Sequence, residues 1–312
     1  MDLSKTGKTI AKLRRSAGFT QASLAEKLGI SDKAVSKWER GIACPDVSLW
    51  NKLSILLDTD IESLIYGDEE KSEWRGLLIL DESVPLSTIV YNKPLIHYLI
   101  SQFLLVGIRD IIIFGARDSF ELPGVKISFL TKTLELNQRF TTPVFVIFGN
   151  SFLYGPNLTK HFKRAMSRTE GITVISSMKR KGKYPIFVDE NRKAALAEEL
   201  LPNQYYAEPF VFFSINSGYT KYISYEDILK DNNLNAETME RGMMSFQIST
   251  FDDLFQLAEF VRLMEKQTNE RIGCVEEILI RRGIVEYEDV KKICDKETGR
   301  YLEELFTVNC SM

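Results

Sequence analysis

The sequence predicts an all-α unit of five short helices, then an α/β unit with a mostly parallel, mixed sheet, ending in a helical segment. Three observations carry this division. Between Lys5 and Gly67, apolar residues recur at three-and-four spacing, the mark of amphipathic helices. From Arg75 onward, continuous apolar runs alternate with helical patterns, as in a sheet whose strands are buried on both faces. Between the two lies Asp68–Glu73, DEEKSE, which has no apolar residue and reads as an exposed linker. The expected domains are therefore 1–67 and 75–312, joined by a linker over 68–74, with the helical C-terminal segment covering 251–312.

In the first unit, a helix over Lys5–Ala17 is expected to turn Ile10 and Leu13 inward and Arg14 and Arg15 outward. Gln21–Leu28 carries Leu24, Ala25 and Leu28 on one face. Gly29 ends it, because glycine takes the left-handed conformation without a Cβ penalty. Ile30 plugs the corner, and Ser31 suits the N-cap of the next helix. There Val35 and Trp38 fall on one side, and Asp32, Lys33, Ser36 and Lys37 on the other. Trp38 reads as core because it shares its face with Val35. Pro45 and Asp46 open a fourth helix bearing Leu49, Trp50, Leu53, Leu56 and Leu57. Thr59 or Asp60 caps a short fifth one that ends at Tyr66-Gly67.

In the second unit, LLIL (Leu77–Leu80), DIIIF (Asp110–Phe114) and PVFVIF (Pro143–Phe148) read as buried strands. An amphipathic helix over Pro94–Val106 joins the first two, and a helix over Leu158–Ser167 follows the third. TVISS, PIFV and FVFF supply later strands. The alternation implies a Rossmann-like, doubly wound sheet. Helices over Asp252–Glu265, Val275–Arg282, Glu288–Asp295 and Tyr301–Phe306 close the chain.

Composition narrows the chemistry. Only His97 and His161 are present, each on an expected helix without a histidine or cysteine at ligand spacing. The four cysteines (Cys44, Cys274, Cys294, Cys310) form neither a CxxC pair nor a framework. No metal and no cofactor is expected from these residues. No apolar run reaches membrane-spanning length, and the polar opening MDLSKTGKTIAKLRR has no signal-peptide core, so a cytoplasmic location is expected and no membrane partner. The overall charge of −3 conceals an asymmetry. Met1–Cys44 holds nine Lys/Arg against four Asp/Glu, Pro45–Gly67 holds one against four, and the remainder 30 against 35. The positive charge is concentrated where a polyanion would be met.

Thr20–Gly41, TQASLAEKLGISDKAVSKWERG, describes two helices joined by a tight turn, with small Ala25 where a steep crossing needs close approach. This is a helix-turn-helix whose second helix suits a DNA major groove. From about Ile10 to Gly67 the chain resembles the Cro and phage-repressor (XRE-type) family, including its TQ opening, LGIS turn and WERG exit. The resemblance implies that Gln21 meets phosphate through its side chain and the helix N-terminus. It places Asp32, Lys33 and Lys37 at base-reading positions and Ser36 and Arg40 toward the backbone, with Ser31, at the start of the same helix, also among the DNA-binding residues. Lysine donates to guanine and aspartate accepts from cytosine N4. One such unit reads a half-site, so the expected partner is double-stranded DNA with a near-palindromic operator, bound by a homodimer or higher homo-oligomer.

The second domain resembles the sugar-phosphate nucleotidyltransferases, the glucose-1-phosphate thymidylyltransferases in particular. YNKPLIHYLISQFLLVGIRDIIIFG is similar to the family's DKP motif and following elements, FGNSFLYG stands at its GDNIFYG motif, and the segment from Glu240 to Ile293 resembles its C-terminal part. The chemistry does not follow. Phosphoryl transfer needs a metal held by carboxylates, a phosphate cradle and a cationic clamp. Where the family has a glycine-rich GGxGTRL loop, this chain runs Asp81-Glu82-Ser83-Val84-Pro85. The resemblance sets Asn150 and Gln247 at the two metal-carboxylate positions and Leu200 at the sugar-site lysine. Neutral amides are poor ligands for a hard divalent cation. The expectation is a domain without catalytic residues that is not an enzyme.

Two roles remain open for it: a sensor of a nucleotide sugar or related metabolite, with Asn150, Tyr154 and Gln247 as candidate cleft residues, or a dimerisation platform with a closed cleft. The family's products suggest control of polysaccharide or cell-wall genes. The alternatives are an active nucleotidyltransferase carrying a regulatory module and a protein-binding scaffold. Met178–Lys183, MKRKGK, reads as a solvated turn, and Met243-Met244 as core or interface.

Overall fold

The computed structural model describes residues 3–57, 59, 61, 64, 73–81, 84–116, 120–130, 142–179, 182–197, 204–214 and 224–307. By packing, the chain divides into two compact units, 1–71 together with 276–312, and 72–275. The helices after residue 275 thus group with the N-terminal unit, whereas the sequence pattern carries the second domain through to residue 312.

The first unit contains α1 (Leu3–Ser16), α2 (Gln21–Leu28), α3 (Asp32–Glu39) and α4 (Val47–Leu56), with Ile61 and Leu64 also helical. Ile10, Leu13, Leu24, Ala25, Leu28, Val35, Trp38, Trp50, Leu53, Leu57 and Leu64 form one core, so the apolar spacing is used as expected. Two features bring α1 against α3. A Cβ at Gly7 would lie 2.1 Å from the Trp38 carbonyl oxygen, and one at Gly41 would lie 2.8 Å from Ser4 Cα. Only glycine permits that approach. Arg14 corrects the outward assignment: it is 8% exposed, because it follows Ile10 by four residues and shares its face.

The second unit is built on a nine-stranded sheet among the described residues. Its strands are β1 (Arg75–Ile79), β4 (Asp110–Phe114), β5 (Lys126–Leu130), β6 (Val144–Phe148), β8 (Ile172–Lys179), β9 (Pro185–Val188), β10 (Ala194–Leu196), β11 (Gln204–Phe213) and β12 (Leu234–Thr238). Along β5-β4-β1-β6 every pairing is parallel. Beyond β6, β11 runs antiparallel to β6, β8 and β9, and β12 pairs parallel to β8. The short strands β2 (Ile89–Val90) and β3 (Lys93–Pro94) pair with each other, as do β7 (Ser151–Tyr154) and β13 (Met244–Gln247).

The sequence of β6 shows why the sheet is buried on both faces. Val144 and Val146 join Leu77, Ile112, Val174 and Val211 on one side. Phe145, alternating to the other side, stacks on Phe212 at 4.1 Å and meets Phe103 at 5.0 Å and Phe162 at 5.1 Å. Phe103 lies on α5 (Leu95–Leu104) and Phe162 on α6 (Leu158–Met166). α5 is buried from Leu95 to Leu104 except at His97, so it is a central helix and not the amphipathic one expected. Gly76 in β1 lets it settle, since a Cβ there would stand 2.9 Å from the Phe103 ring.

Four helices follow α7 (Tyr225–Leu229): α8 (Phe251–Thr268), α9 (Val275–Arg281), α10 (Tyr287–Lys291) and α11 (Lys296–Thr307). Ile280, Val290 and Leu302 give α9–α11 their own small core. A Cβ at Gly283 would lie 2.1 Å from Lys12 Cε, which places this segment against α1. No helix among the described residues is long and apolar enough to cross a membrane.

Candidate functional site

The turn of the helix-turn-helix is held by local hydrogen bonds. Thr20 Oγ1 accepts from Ser23 N at 3.0 Å and Ser23 Oγ accepts from Thr20 N at 2.9 Å, a reciprocal cap that starts α2. Gly29 ends it at φ +74°, and Ile30 N donates to the Ala25 carbonyl at 3.0 Å. Ser31 Oγ accepts from Ala34 N at 3.3 Å and caps α3.

With its apolar side anchored, α3 turns Asp32, Lys33 and Lys37 to solvent, and Arg40 follows at its C-cap. Asp32 accepts from Lys33 N at 2.7 Å. Ser36 is half-buried, and its carbonyl accepts from Arg40 Nε at 3.2 Å, which folds the guanidinium back along the helix. Ser31, Asp32, Lys33, Lys37 and Arg40 therefore share an exposed surface. Gln21 stands apart, because its amide nitrogen donates to Glu39 Oε2 at 2.6 Å.

That carboxylate is the residue the sequence reading missed. Glu39 also accepts from Arg14 Nε at 2.5 Å and Nη2 at 3.1 Å, and Arg14 Nη1 donates to the Phe19 carbonyl at 2.6 Å. Burial pushes the Glu39 carboxyl upward, but hydrogen bonds from Arg14 and Gln21 and the charges of Arg14 and Arg15 outweigh it and hold the group below its ordinary value. One ion pair thus ties α1 and the start of α2 to the end of the exposed helix. The i,i+4 relation of Arg14 to Ile10 was the available signal.

In the second unit, ligands of open α/β sheets bind beyond the carboxyl ends of the parallel strands. Asn150 stands there, after β6 and Gly149. It is 2% exposed, donates Nδ2 to the Asp81 carbonyl at 3.0 Å, and leaves Oδ1 buried without a partner. Asp81 in turn accepts from Ser249 Oγ at 3.1 Å, so the segment after β1 is tied to the segment after β13. Gln247 is exposed and pairs with Ser151, next to Asn150. Tyr154 pairs with Met244, three residues along the same ladder and therefore about 10 Å away. Its ring meets Phe260 at 5.2 Å, and burial pushes its phenol upward. Asn150 and Gln247 are near neighbours along the β7–β13 ladder, the first side chain buried and the second exposed, and Tyr154 lies farther along it. Met243 packs on Gly155, and Met244 is 42% exposed.

At the end of β6, aromatic side chains pack on one another. Phe148, the last residue of β6, meets Tyr225 at 5.3 Å, and Tyr184 meets Tyr225 at 5.1 Å. Tyr225 donates to the Glu208 carbonyl at 2.6 Å, and burial raises its phenol well above the ordinary range. The buried Glu208 carboxylate accepts from Ser177 Oγ and, at 2.6 Å, from Ser245 Oγ. Neutral amides such as Asn150 and Gln247 are poor ligands for a hard divalent cation, and among the described residues no three His, Cys, Asp or Glu side chains gather as a metal site. Leu200, and Arg180-Lys181 of the basic stretch, lie outside the described residues. Elsewhere His161 faces the buried Glu237 at 2.9 Å, a structural pairing.

Comparison with known proteins finds relatives for both parts of the chain. The helix-turn-helix family model HTH_3 matches residues 10–64. Over 63 residues, 20% of this chain and 50% of the relative, the chain is 38% identical to the HTH-type transcriptional regulator ImmR of Bacillus subtilis. Glucose-1-phosphate thymidylyltransferase of Neisseria meningitidis is 27% identical over 258 residues, covering 69% of this chain and 90% of the enzyme. The chain joins a helix-turn-helix domain to a thymidylyltransferase-like domain. The thymidylyltransferase of Mycobacterium tuberculosis is 26% identical over 262 residues, covering 70% and 91%. The inositol-1-phosphate CTP transferase structure from T. maritima overlays with a TM-score of 0.46 at 12% identity, covering 61% and 97%.

Proposed function

We propose that this chain is a sequence-specific DNA-binding transcriptional regulator whose thymidylyltransferase-like domain has kept the frame without the reaction. One observation carries the reading. At the carboxyl ends of β1 and β6 the chain presents Asn150 and Gln247, with Asp81 opening the loop, where metal-assisted transfer needs carboxylates and a phosphate cradle. Phe148, Tyr184, Tyr225 and Glu208, packed and hydrogen-bonded to one another, support a closed crevice in place of a substrate site. On the other domain, the exposed Lys33 and Lys37 support readout of base edges.

In this reading the second domain brings two copies together on a near-palindromic operator. A nucleotide sugar or related metabolite is the effector class its frame suggests, with polysaccharide or cell-wall genes as targets. The closed crevice favours the dimerisation role over direct sensing of an anionic ligand. The test combines two measurements on the full chain. Selection from random duplexes should return a near-palindromic sequence, and Lys33→Glu with Lys37→Glu should abolish its binding. Pyrophosphate release from sugar 1-phosphates, nucleoside triphosphates and magnesium should stay at background; turnover above it would make the chain an enzyme with a regulatory module.

A further inference from the structure

Glu237, on β12, is a buried carboxylate faced by several cationic side chains. Arg192 Nη1 donates to its Oε2 at 2.6 Å, Arg164 Nη1 stands 3.7 Å from Oε1, and His161 Nδ1 lies 2.9 Å from the same oxygen. Arg168 follows Arg164 by four residues, just past the end of α6, and its charge acts on both Glu237 and Arg192. Charge and donors are both in excess here. Even with His161 neutral, one carboxylate answers three guanidiniums, which leaves two positive charges over. Each guanidinium carries a fork of N–H donors. Among the described residues, the Arg192–Glu237 bond is the only hydrogen bond that the three forks donate. Arg168 is half-buried, and its side chain donates none. Burial pushes its guanidinium downward from the ordinary value; Glu237 opposes this and Arg192 adds to it. The C-terminal end of α6 favours a cation, which accounts for Arg164 but not for a second guanidinium withdrawn from water beside a third.

The backbone holds this arrangement at a cost. Arg192 has φ +63°, a left-handed conformation that long side chains rarely adopt. The turn between β9 and β10 fixes it there. Arg192 N donates to the Asp189 carbonyl at 3.0 Å and Lys193 N to Asp189 Oδ1 at 2.8 Å, while Ala236 N on β12 donates to the Arg192 carbonyl at 2.8 Å. Strain of this kind persists where the surroundings over-determine it, and here it sets the guanidinium against Glu237.

We infer that Arg164, Arg168 and Arg192 form a binding site for a small phosphorylated molecule, with Glu237 holding the Arg192 fork from behind. A phosphate monoester carries about 1.5–2 negative charges near neutral pH, which matches the surplus; a carboxylate matches only part of it. Guanidinium forks take phosphate oxygens through paired N–H groups. The Arg164 and Arg192 side chains are 45% and 42% exposed, so the ligand enters from solvent. A nucleic-acid backbone fits less well. Tracking a polyanion needs a basic surplus, and the chain after Gly67 holds 30 basic residues against 35 acidic. None of the four residues belongs to the crevice beyond β1 and β6. The site stands whether or not the chain regulates transcription; its use by an effector rests on that reading.

The test is calorimetric titration of the full chain with glucose 1-phosphate and with inorganic phosphate, in chloride of matched ionic strength. The ester should bind saturably and at least as tightly as the free anion, and Arg164→Gln/Arg168→Gln should weaken both at least about tenfold. Neither side chain donates a hydrogen bond within the chain, so the variant's thermal midpoint without ligand should equal or exceed the parent's. Equal affinity in parent and variant overturns the proposal, as does binding of free phosphate without the ester, or of neither probe. A variant that weakens DNA binding while neither probe binds the parent makes the cluster a DNA-backbone contact, and the proposal falls. On the parent itself, glucose 1-phosphate should saturably slow phenylglyoxal modification of Arg164 and Arg192, read by peptide mass; unslowed modification refutes the site without recourse to a variant. The regulator reading is tested separately, by Lys33 and Lys37, so either can fail alone.

Discussion

Glu39→Ala should unfold the DNA-binding unit disproportionately to the atoms it removes. The Arg14 and Glu39 side chains are 10% and 7% exposed, and Glu39 accepts two bonds from Arg14 and one from Gln21. Removing one partner of a buried pair costs about 3–5 kcal/mol, because the other charge is left desolvated. Water lies close to this pair in a small unit, so about 2–4 kcal/mol is expected here. Arg14 keeps only its bond to the Phe19 carbonyl.

Urea unfolding followed by tryptophan fluorescence reports on this unit, since Trp38 and Trp50 sit in its core. The same pair should show in acid. A carboxylate held below its ordinary value contributes stability that is present above that value, 4.5, and is lost as pH falls through the lower folded value. Between about pH 5 and 3 the parent should therefore lose more stability than Glu39→Gln, which cannot titrate. A Glu39→Ala loss under about 0.5 kcal/mol, within the range of an ordinary surface change, would refute the lock, as would identical acid profiles for parent and Glu39→Gln.

Three further outcomes are expected. Gly7→Ala must part α1 from the Trp38 carbonyl, now 2.1 Å from the new Cβ, so it should cost at least about 1–3 kcal/mol in urea unfolding and weaken DNA binding by displacing α3. Lys33→Ala and Lys37→Ala, both exposed, should leave stability within about 0.5 kcal/mol, yet each lost base contact should cost about 1–3 kcal/mol of binding and relax sequence preference in competition titrations. Asn150→Asp should lower the stability of the second unit by about 1–3 kcal/mol, because a carboxylate oxygen would replace the donor to the Asp81 carbonyl in a buried place; unfolding followed by circular dichroism measures it.

Much of the fold was legible because it is local. The strands over Asp110–Phe114 and Val144–Phe148 and the helices around Gly29 follow from runs, periods and turn residues that act within a few positions. The exposed face of α3 was legible for the same reason: Val35 and Trp38 fix one side, and Asp32, Lys33 and Lys37 must take the other. The substitution of amides for carboxylates at Asn150 and Gln247 was visible in the residues themselves.

What only tertiary structure decided involves partners distant in the chain. Arg14 and Glu39 are 25 positions apart, and no periodicity says that a buried guanidinium will find that carboxylate. The helix between β1 and β4 reads as amphipathic by composition, but both of its sides meet the sheet and its neighbours, so burial follows from position in the layers. Gln247 comes to lie beside Asn150 because the pairing of β7 with β13 sets Gln247 opposite Ser151, a register between strands far apart in the chain. Likewise, the helices after residue 275 group with the first unit, Gly283 lying beside the Lys12 side chain, a contact spanning most of the chain.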